Sequence, residues 1–322
     1  LCSPFFDIRR KAWSYEACNV LDFDMDVLPD IFSSFQVIGE TSASCRSFGL
    51  RKGIPVVAGG GDFACSALGC GVFQVGEACQ MLGTAGDFII PTRGERFDPR
   101  LVNTIHVDGN YVSFGNVLAG GVVGWFRDLF AVFRKGREVD FHSLEERAGE
   151  IPPGSGGLIV LPQLIGGIAP EWDLHRRGVI FGISTSHGSF HIYRAILEGV
   201  AYALRYILEI ALEAGAEVKS VVAVDGGAKS KLWRRILADV MNLPLIYYVS
   251  GGDATMGDAA LAAKGLGLID GFHAVKDWLG DAEVDGPDPR VHERYLSYYR
   301  LYREIYEHLG EDFKELFKII RL

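Results

Sequence analysis

Long hydrophobic runs and an excess of positive charge are both missing from this sequence. Among its longest apolar runs is Val117–Phe126, which glycines interrupt and which falls well short of the ~18 apolar residues of a membrane-spanning helix. Lysine and arginine number 32 against 41 aspartate and glutamate residues, which gives a net charge of -9, whereas proteins that bind nucleic acid need a basic face. We therefore expect neither a membrane nor a nucleic acid among the partners of this chain.

The cysteine patterns of metal and disulfide sites are also lacking. The six cysteines form no CxxC pair and no cluster interleaved with histidine, and they lie at positions 2, 18, 45, 65, 70 and 79. Scattered cysteines of this kind argue against a zinc site and are typical of reduced thiols in the cytoplasm. The sequence thus predicts a cytoplasmic protein and assigns no residue to a metal.

Several common enzyme signatures are missing as well. The chain has no Gly-Lys dipeptide, which excludes a Walker P-loop, and no complete GxGxxG follows a predicted strand, which argues against an NAD-dependent dehydrogenase. The GxSxG pattern of serine hydrolases and the HExxH pattern of metalloproteases are absent too. A nucleotide ligand would therefore need another kind of glycine-rich turn.

What the sequence does contain is an alternating order of predicted strands and helices. Its 322 residues suffice for two domains, each with a sizeable core. The short apolar run Ile54–Ala58 predicts a buried strand, and apolar residues at helical spacing from Phe190 to Ala214, ended by Gly215, predict a long helix. A further strand is predicted at Val218–Val224. This order indicates an α/β protein with a parallel-rich sheet and ligands at the carboxyl ends of its strands.

One carboxylate follows a predicted strand at a glycine-rich turn. Asp62 comes directly after three glycines and directly before a predicted helix, within Ile54–Gly71. One interpretation is structural, because a short acidic side chain can cap the free N–H groups of a helix start. The other is functional, because this is where a strand ends and a ligand approaches. The local sequence leaves both interpretations open.

Three glycine-rich segments are candidates for ligand-binding turns. In Leu82–Phe88, Thr84 stands between two glycines, where backbone N–H groups and a hydroxyl can bind an anion; a plain hairpin turn is the alternative. Asp225–Trp233 opens a helix after a strand, where glycines let a base or phosphate approach; a turn capped by Ser230 is the alternative. Asn116–Trp125 places glycines in a helix, where they are unfavourable and indicate a close backbone approach.

The order of these segments resembles the FGGY family of carbohydrate kinases. "GVIFGISTSHGSFHIYRAILE" (Gly178–Glu198) is similar to the second signature of that family, "LGTAG" to its second phosphate motif, and "VDGGAKSKLWRRILADVMNLPL" to its adenosine motif. "PQLIGGIAPEWDLHRRGVIFG" looks like the glycerol-kinase form of its segment, and "YYRLYREIYEHL" is similar to the tails of xylulokinase-like members. The resemblance extends from near Trp13 to the end of the chain.

The resemblance implies an α/β fold of the actin-like ATPase (ribonuclease H-like) type. Two domains would flank a cleft, with a sugar or polyol on the first and ATP on the second. We expect residues 1–72 to be the end of the first domain and residues 73–322 to be the second. The implied reaction transfers the γ-phosphoryl group of ATP, with Mg²⁺, to a hydroxyl of a small-molecule sugar or polyol, and a pentulose such as xylulose is the expected acceptor.

The resemblance also assigns roles to single residues. The family's catalytic aspartate matches Asp62, which as a base would accept the proton of the attacking hydroxyl. Arg194 and Glu198 belong to the signature helix and are expected to be structural. Six further residues match positions at the nucleotide: Gly83 and Thr84 in the phosphate turn, Gly120 beside the nucleotide, and Gly226, Gly227 and Lys231 in the adenosine pocket.

Two departures from the family pattern affect these expectations. Phe63 follows the matched aspartate where relatives often have a polar residue, and the family's opening hairpin, with its Asp-x-Gly-Thr motif for phosphate and Mg²⁺, is not in the sequence. Because the chain also begins at Leu1, we expect it to be the C-terminal portion of a kinase whose first domain is incomplete here. The alternatives are one half of a split kinase and a non-catalytic actin-like nucleotide-binding module, although retention of Asp62 argues against the module. A homodimer, common among relatives, is a further expectation.

Overall fold

The computed structural model describes residues 3–133, 141–167, 169–170 and 172–320 of the chain. Its strands, in chain order, are β1 (Phe6–Asp7), β2 (Ala12–Trp13), β3 (Val37–Glu40), β4 (Pro55–Val57), β5 (Gly76–Met81), β6 (Ala85–Thr92), β7 (Val102–Ile105), β8 (Tyr111–Leu118), β9 (Ile159–Leu161), β10 (Val179–Phe181), β11 (Val218–Val224), β12 (Leu245–Tyr248) and β13 (Ala282–Asp285). Its α-helices are α1 (Tyr15–Val20), α2 (Asp62–Gly69), α3 (Gly120–Phe133), α4 (Phe141–Gly149), α5 (Ser189–Glu213), α6 (Lys231–Met241), α7 (Ala254–Gly265), α8 (Ala274–Trp278), α9 (Pro289–His308) and α10 (Gly310–Ile320).

A seven-stranded sheet with the order β13-β12-β11-β5-β6-β8-β7 forms the centre of the fold. Only β12, β11 and β5 are mutually parallel, whereas every other neighbouring pair in this sheet is antiparallel. The prediction of a parallel-rich sheet is therefore wrong for the half that contains β5, β6, β8 and β7. The reason is loop length, because only residues 82–84 separate β5 from β6, and so short a connection can join only antiparallel strands.

The long helix α5 covers one face of this sheet, as the apolar spacing predicts. Val200, Leu204 and Ile207 are among its buried residues. Gly215, at φ +90°, adopts the left-handed conformation that ends a helix. Among the described helices, none is long and apolar enough to cross a bilayer.

The predicted cap of α6 is also confirmed. The Ser230 side chain accepts a hydrogen bond from the Trp233 backbone N–H at 3.1 Å, which satisfies one of the free donors at the helix start. The C-terminal segment forms two helices, α9 and α10, which are separated by Leu309 alone.

The strand that precedes Asp62 differs from its prediction. A strand forms at Pro55–Val57, but Pro55 and Val56 are exposed, so the expectation of a buried strand at Ile54–Ala58 is wrong. Among the described residues, β4 pairs with β3 alone, and only Val57 is partly covered, through its contact with α7 near Gly265. Pro55 and Val56 are exposed because no further strand or helix packs on them among the described residues.

Helix α2 connects this peripheral strand to the central sheet. Ala67 of α2 and Cys70, the residue after its end, are buried. They pack with Cys79, Ile89 and Val222 on the sheet face opposite α5. The same helix lies in backbone contact with α7, where glycines replace side chains. Helix α2 is thereby held between α7 and the sheet.

Candidate active site

The turn between β5 and β6 stands at the centre of the site. Gly83 and Thr84 form it, and the backbone of both residues holds the start of α3, since Gly120 N–H donates to Gly83 O at 2.7 Å and Gly121 N–H to Thr84 O at 3.0 Å. A Cβ added to Gly120 would lie 2.5 Å from Gly83 O, which is closer than any real Cβ contact. The predicted close backbone approach at Gly120 is thus present, and its partner is the Gly83–Thr84 turn.

The glycines that follow β11 meet the same turn from its other side. Gly227 N–H donates to Leu82 O at 2.9 Å, and a Cβ on Gly227 would lie 2.8 Å from that oxygen. At Gly226 an added Cβ would meet nothing within 4 Å, so this residue faces open space. Lys231 is exposed at the first position of α6, and the contacts that join the three glycine segments do not involve it.

A buried arginine that the sequence analysis missed fixes this second loop. Arg234 Nη1 donates to Ala228 O at 2.7 Å, while its Nε pairs with Asp285 at 2.8 Å and its Nη2 with Glu283. The side chain of Arg234 is 2% exposed, so its charge is compensated almost entirely by these partners. The guanidinium therefore ties the loop after β11 to the edge strand β13.

Asp62 is the first residue of α2 and is exposed. Its carboxylate accepts a hydrogen bond from Phe63 N–H at 2.7 Å, so it does satisfy a free donor of the helix start, but the N-cap itself is Gly61. Asp62 therefore does bond a free N–H group of the helix start, as the capping interpretation expects, but from the position that follows the N-cap. The Phe63 ring lies 4.9 Å from the Phe114 ring of β8, which seats the beginning of α2 on the central sheet.

Two polar residues that the sequence analysis did not single out lie on the same sheet face. Asp87 of β6 and Asn116 of β8 are directly opposite partners, and the Asn116 amide donates to the Asp87 carboxylate. Burial raises the pKa of Asp87, the hydrogen bond from Asn116 lowers it, and the charge of Asp62 raises it further. A lone carboxylate within an apolar strand was the available signal, but its partner depends on strand register.

A third carboxylate adjoins the turn. Asp225 lies at φ +72° and ψ -171°, a region that is essentially restricted to glycine, and its Oδ2 would be 3.2 Å from a Cβ placed on Gly83. Burial, followed by the charges of Asp87 and Asp253, raises the pKa of Asp225. Strained backbone of this kind concentrates at functional sites.

These carboxylates do not make a metal site by themselves. Among the described residues there is no group of three or more His, Cys, Asp or Glu side chains that could hold a metal ion. Mg²⁺ is usually bound by one or two carboxylates together with the oxygens of a phosphorylated ligand. Of these carboxylates, Asp225 lies beside the Gly83 turn and so is placed for that second mode.

A separate cavity of about 280 Å³ lies on the opposite face of the sheet. Thr84, Val117 and Ala203 line it together with aromatic side chains such as Tyr206 and Tyr302, and none of its described lining residues is charged. The described lining therefore supplies no cation to a phosphate and no carboxylate to Mg²⁺, and it does not include Asp62.

Comparison with known proteins places two regions of the chain in one family. Residues 2–69 match the "FGGY family of carbohydrate kinases, N-terminal domain", and residues 81–266 match its C-terminal domain. The chain is similar to a xylulose kinase of Bacillus subtilis, at 30% identity over 309 residues, which cover 94% of this chain and 60% of that protein. A glycerol kinase of Deinococcus radiodurans is 31% identical over 271 residues, 81% of this chain and 52% of that protein.

Solved structures agree with the sequence relatives. The crystal structure of a xylulose kinase from Rhodospirillum rubrum superposes with a TM-score of 0.85 at 30% identity, and covers 96% of this chain and 63% of its own. The expected α/β fold of the actin-like, ribonuclease H-like type is confirmed by this likeness and by the mixed central sheet. The chain spans about 60% of the length of the curated xylulose kinases that it matches.

Proposed function

The chain belongs to the FGGY family of carbohydrate kinases, and from this we propose that its protein transfers the γ-phosphoryl group of ATP to a hydroxyl of a sugar or polyol. A pentulose such as xylulose is the proposed acceptor, because xylulose kinases stand among its curated relatives and structural neighbours. Since the chain spans only part of these relatives, the activity is proposed for the complete gene product.

A single arrangement carries the proposal. The Gly83–Thr84 turn is hydrogen-bonded to Gly120 on one side and adjoins Gly227 on the other. Asp62 begins the helix whose Phe63 ring packs on Phe114 of β8, the strand that leads into Gly120. Exposed Thr84 offers a hydroxyl to a phosphate, and the open surface at Gly226 admits a flat base. We assign Gly83, Thr84, Gly120, Gly226 and Gly227 to the nucleotide, with exposed Lys231 at the edge of that site.

Asp62 is the proposed general base. Phosphoryl transfer depends chiefly on positioning and on stabilisation of charge, so the base only has to accept the alcohol proton as the new O–P bond forms. The hydrogen bond from Phe63 N–H fixes one oxygen of the Asp62 carboxylate and leaves the other for the acceptor hydroxyl. Mg²⁺, bound with ATP, would neutralise phosphate charge, and Asp62 and Asp225 are the residues proposed to face it.

The cellular setting is proposed from the thiols. The described cysteines Cys18, Cys45, Cys65, Cys70 and Cys79 are all free, whereas Cys2 lies outside the described residues. Free thiols are typical of a reducing compartment, so we place the protein in the cytoplasm.

We also propose a homodimer, which sedimentation of the complete gene product would measure, and a domain boundary at residues 72 and 73, which limited proteolysis would locate.

The test is sugar-dependent release of ADP by the complete gene product. We expect turnover of xylulose or a related ketose, and a loss of about 100-fold or more in kcat for Asp62→Ala, because a positioned base contributes roughly that factor. Asp270→Ala, which removes an exposed carboxylate elsewhere on the surface, is the matched control and should retain wild-type turnover. Tight ATP binding without turnover of any acceptor would instead favour a non-catalytic nucleotide-binding module.

A further inference from the structure

The sheet face below Asp62 carries a polar pair to which the proposed mechanism gives no role. Asp87 and Asn116 are partly buried on adjacent strands, and the bond between them uses one Asp87 oxygen and one amide hydrogen of Asn116. Among the described residues no second hydrogen bond reaches the Asp87 carboxylate. The other oxygen of Asp87 and the second amide hydrogen of Asn116 therefore remain available to a ligand.

Strand register sets the direction in which this pair points. Side chains alternate between the two faces of a strand, so Asp87 shares its face with Ile89, and Asn116 shares its face with Phe114. Ile89 and partly buried Phe114 belong to the cluster that packs under α2, on the side of the sheet that faces away from α5. The pair therefore points to the side of the sheet on which Asp62 stands.

The start of α2 lies above the pair. Phe63 packs on Phe114, and Asn116 is the next residue along β8 on that face, two positions nearer the strand end. Asp62, adjacent to Phe63, is thus brought over the end of β8 where Asp87 and Asn116 lie. The influence of the Asp62 charge on Asp87 agrees with this placement.

We propose that Asp87 and Asn116 form a subsite that hydrogen-bonds the hydroxyls of the acceptor and makes the enzyme selective for neutral polyhydroxy compounds over sugar acids. The inference rests on the proposed function and adds the class of its acceptor. The carboxylate accepts hydrogen bonds from hydroxyl groups, and the amide hydrogen donates to a hydroxyl oxygen, so the pair suits vicinal hydroxyls.

Charge supplies the selectivity. An acceptor that carries its own carboxylate would bring a third negative charge beside Asp62 and Asp87, and partial burial of Asp87 weakens the screening of its charge. The apolar rings of Phe63 and Phe114 next to the pair offer no compensating cation. A neutral ketose meets no such repulsion.

The experiment compares xylulose with gluconate as acceptors of the complete gene product. For Asp87→Asn, which keeps the shape and removes the charge, we expect the ratio of kcat/KM for xylulose over gluconate to fall by about tenfold or more. For Asp87→Ala, which removes the contact, we expect KM for xylulose to rise about tenfold with kcat within a few-fold, since ground-state binding is lost. Asp270→Asn is the matched control and should leave the ratio unchanged.

Three outcomes are informative. An unchanged ratio in Asp87→Asn, with a native melting curve, overturns the subsite, and so does a wild-type enzyme that uses gluconate as well as xylulose. Absence of turnover with every acceptor overturns the proposed function instead. In that event, calorimetric titration of xylulose and gluconate into wild type and Asp87→Asn still decides the subsite, because it measures selectivity without chemistry.

Discussion

At the scale of single residues, the placement of the Asp225 carboxylate beside Gly83 lowers the stability of the fold. Its backbone lies in a region that L-residues rarely occupy, and its carboxylate is crowded by Asp87 and Asp253. Backbone strain of this kind costs about 1–3 kcal/mol. The residue holds a carboxylate beside Gly83, where a glycine would relax the chain but remove the charge.

The consequence is a pH-dependent gain in stability for Asp225→Gly. Burial raises the folded-state pKa of Asp225, so its ionisation destabilises the fold at neutral and alkaline pH, but not below pH 3.8, where the carboxyl is protonated in both states. We expect a higher melting temperature than wild type at pH 8, with a smaller difference near pH 4. Asp225→Asn keeps the strain and removes the charge, so its gain should be the smaller of the two at pH 8; a lower melting temperature of Asp225→Gly at pH 8 would contradict this account.

At the scale of the element, α5 depends on a charge pair inside the core. Glu198 accepts hydrogen bonds from Arg194 Nε at 2.8 Å, Tyr295 Oη at 2.9 Å, Ser155 Oγ at 2.8 Å and Gly154 N–H at 3.0 Å. Burial raises the pKa of Glu198, whereas Arg194 and the other donors lower it. The expected structural role of Arg194 and Glu198 fits this network, which joins α5 to α9 and to the loop before β9.

Removal of one partner should therefore be costly. Glu198→Ala leaves the Arg194 guanidinium buried without its counter-charge, and we expect a loss of about 3–5 kcal/mol in the free energy of unfolding. Glu307→Ala breaks an exposed pair with Arg303 one turn away on α9 and should cost less than about 1 kcal/mol. Urea denaturation of both variants makes the comparison, and equal losses would show that burial does not decide the cost.

At the scale of the whole molecule, α2 and α7 are joined backbone to backbone. A Cβ added to Gly257 would overlap Cys65 O of α2, and one added to Gly69 would overlap Asp253 O before α7. This contact links the region that matches the family's N-terminal domain to the region that matches its C-terminal domain. Two glycines, distant in sequence, thus bring the two regions together.

Gly257→Ala tests this contact. We expect the new methyl group to force the helices apart, lower the free energy of unfolding by about 1–3 kcal/mol and reduce kcat, since α2 carries Asp62. Gly124→Ala is the control, because a Cβ there meets nothing within 4 Å and helix propensity alone should make it neutral or slightly stabilising. Calorimetry and the kinase assay measure both effects, and a Gly257→Ala protein as stable as Gly124→Ala would exclude a tight contact.

Local sequence patterns predicted single helices, caps and turns better than they predicted which strands lie beside one another. The apolar spacing of α5, the Ser230 cap and the turn at Gly83 follow from residues close in sequence, and each is confirmed. The burial of β4 and the mixed sheet depend on which strands lie beside one another, which no local pattern encodes. The pairing of Asp87 with a partner 29 residues away was missed for the same reason.

The packing of α2 also limits which parts of the proposed enzyme can move. Helix α2 is packed between α7 and the sheet, and only residues 70–75 separate it from the central strand β5. We therefore expect Asp62 to keep its place relative to the Gly83 turn. For the proposed kinase, we therefore expect the cleft between the domains to open and close elsewhere in the complete protein. If Asp62 is the base, as we propose, the acceptor is brought to a proton acceptor that is already in place, and delivery of the acceptor is the step that we expect to commit it to reaction.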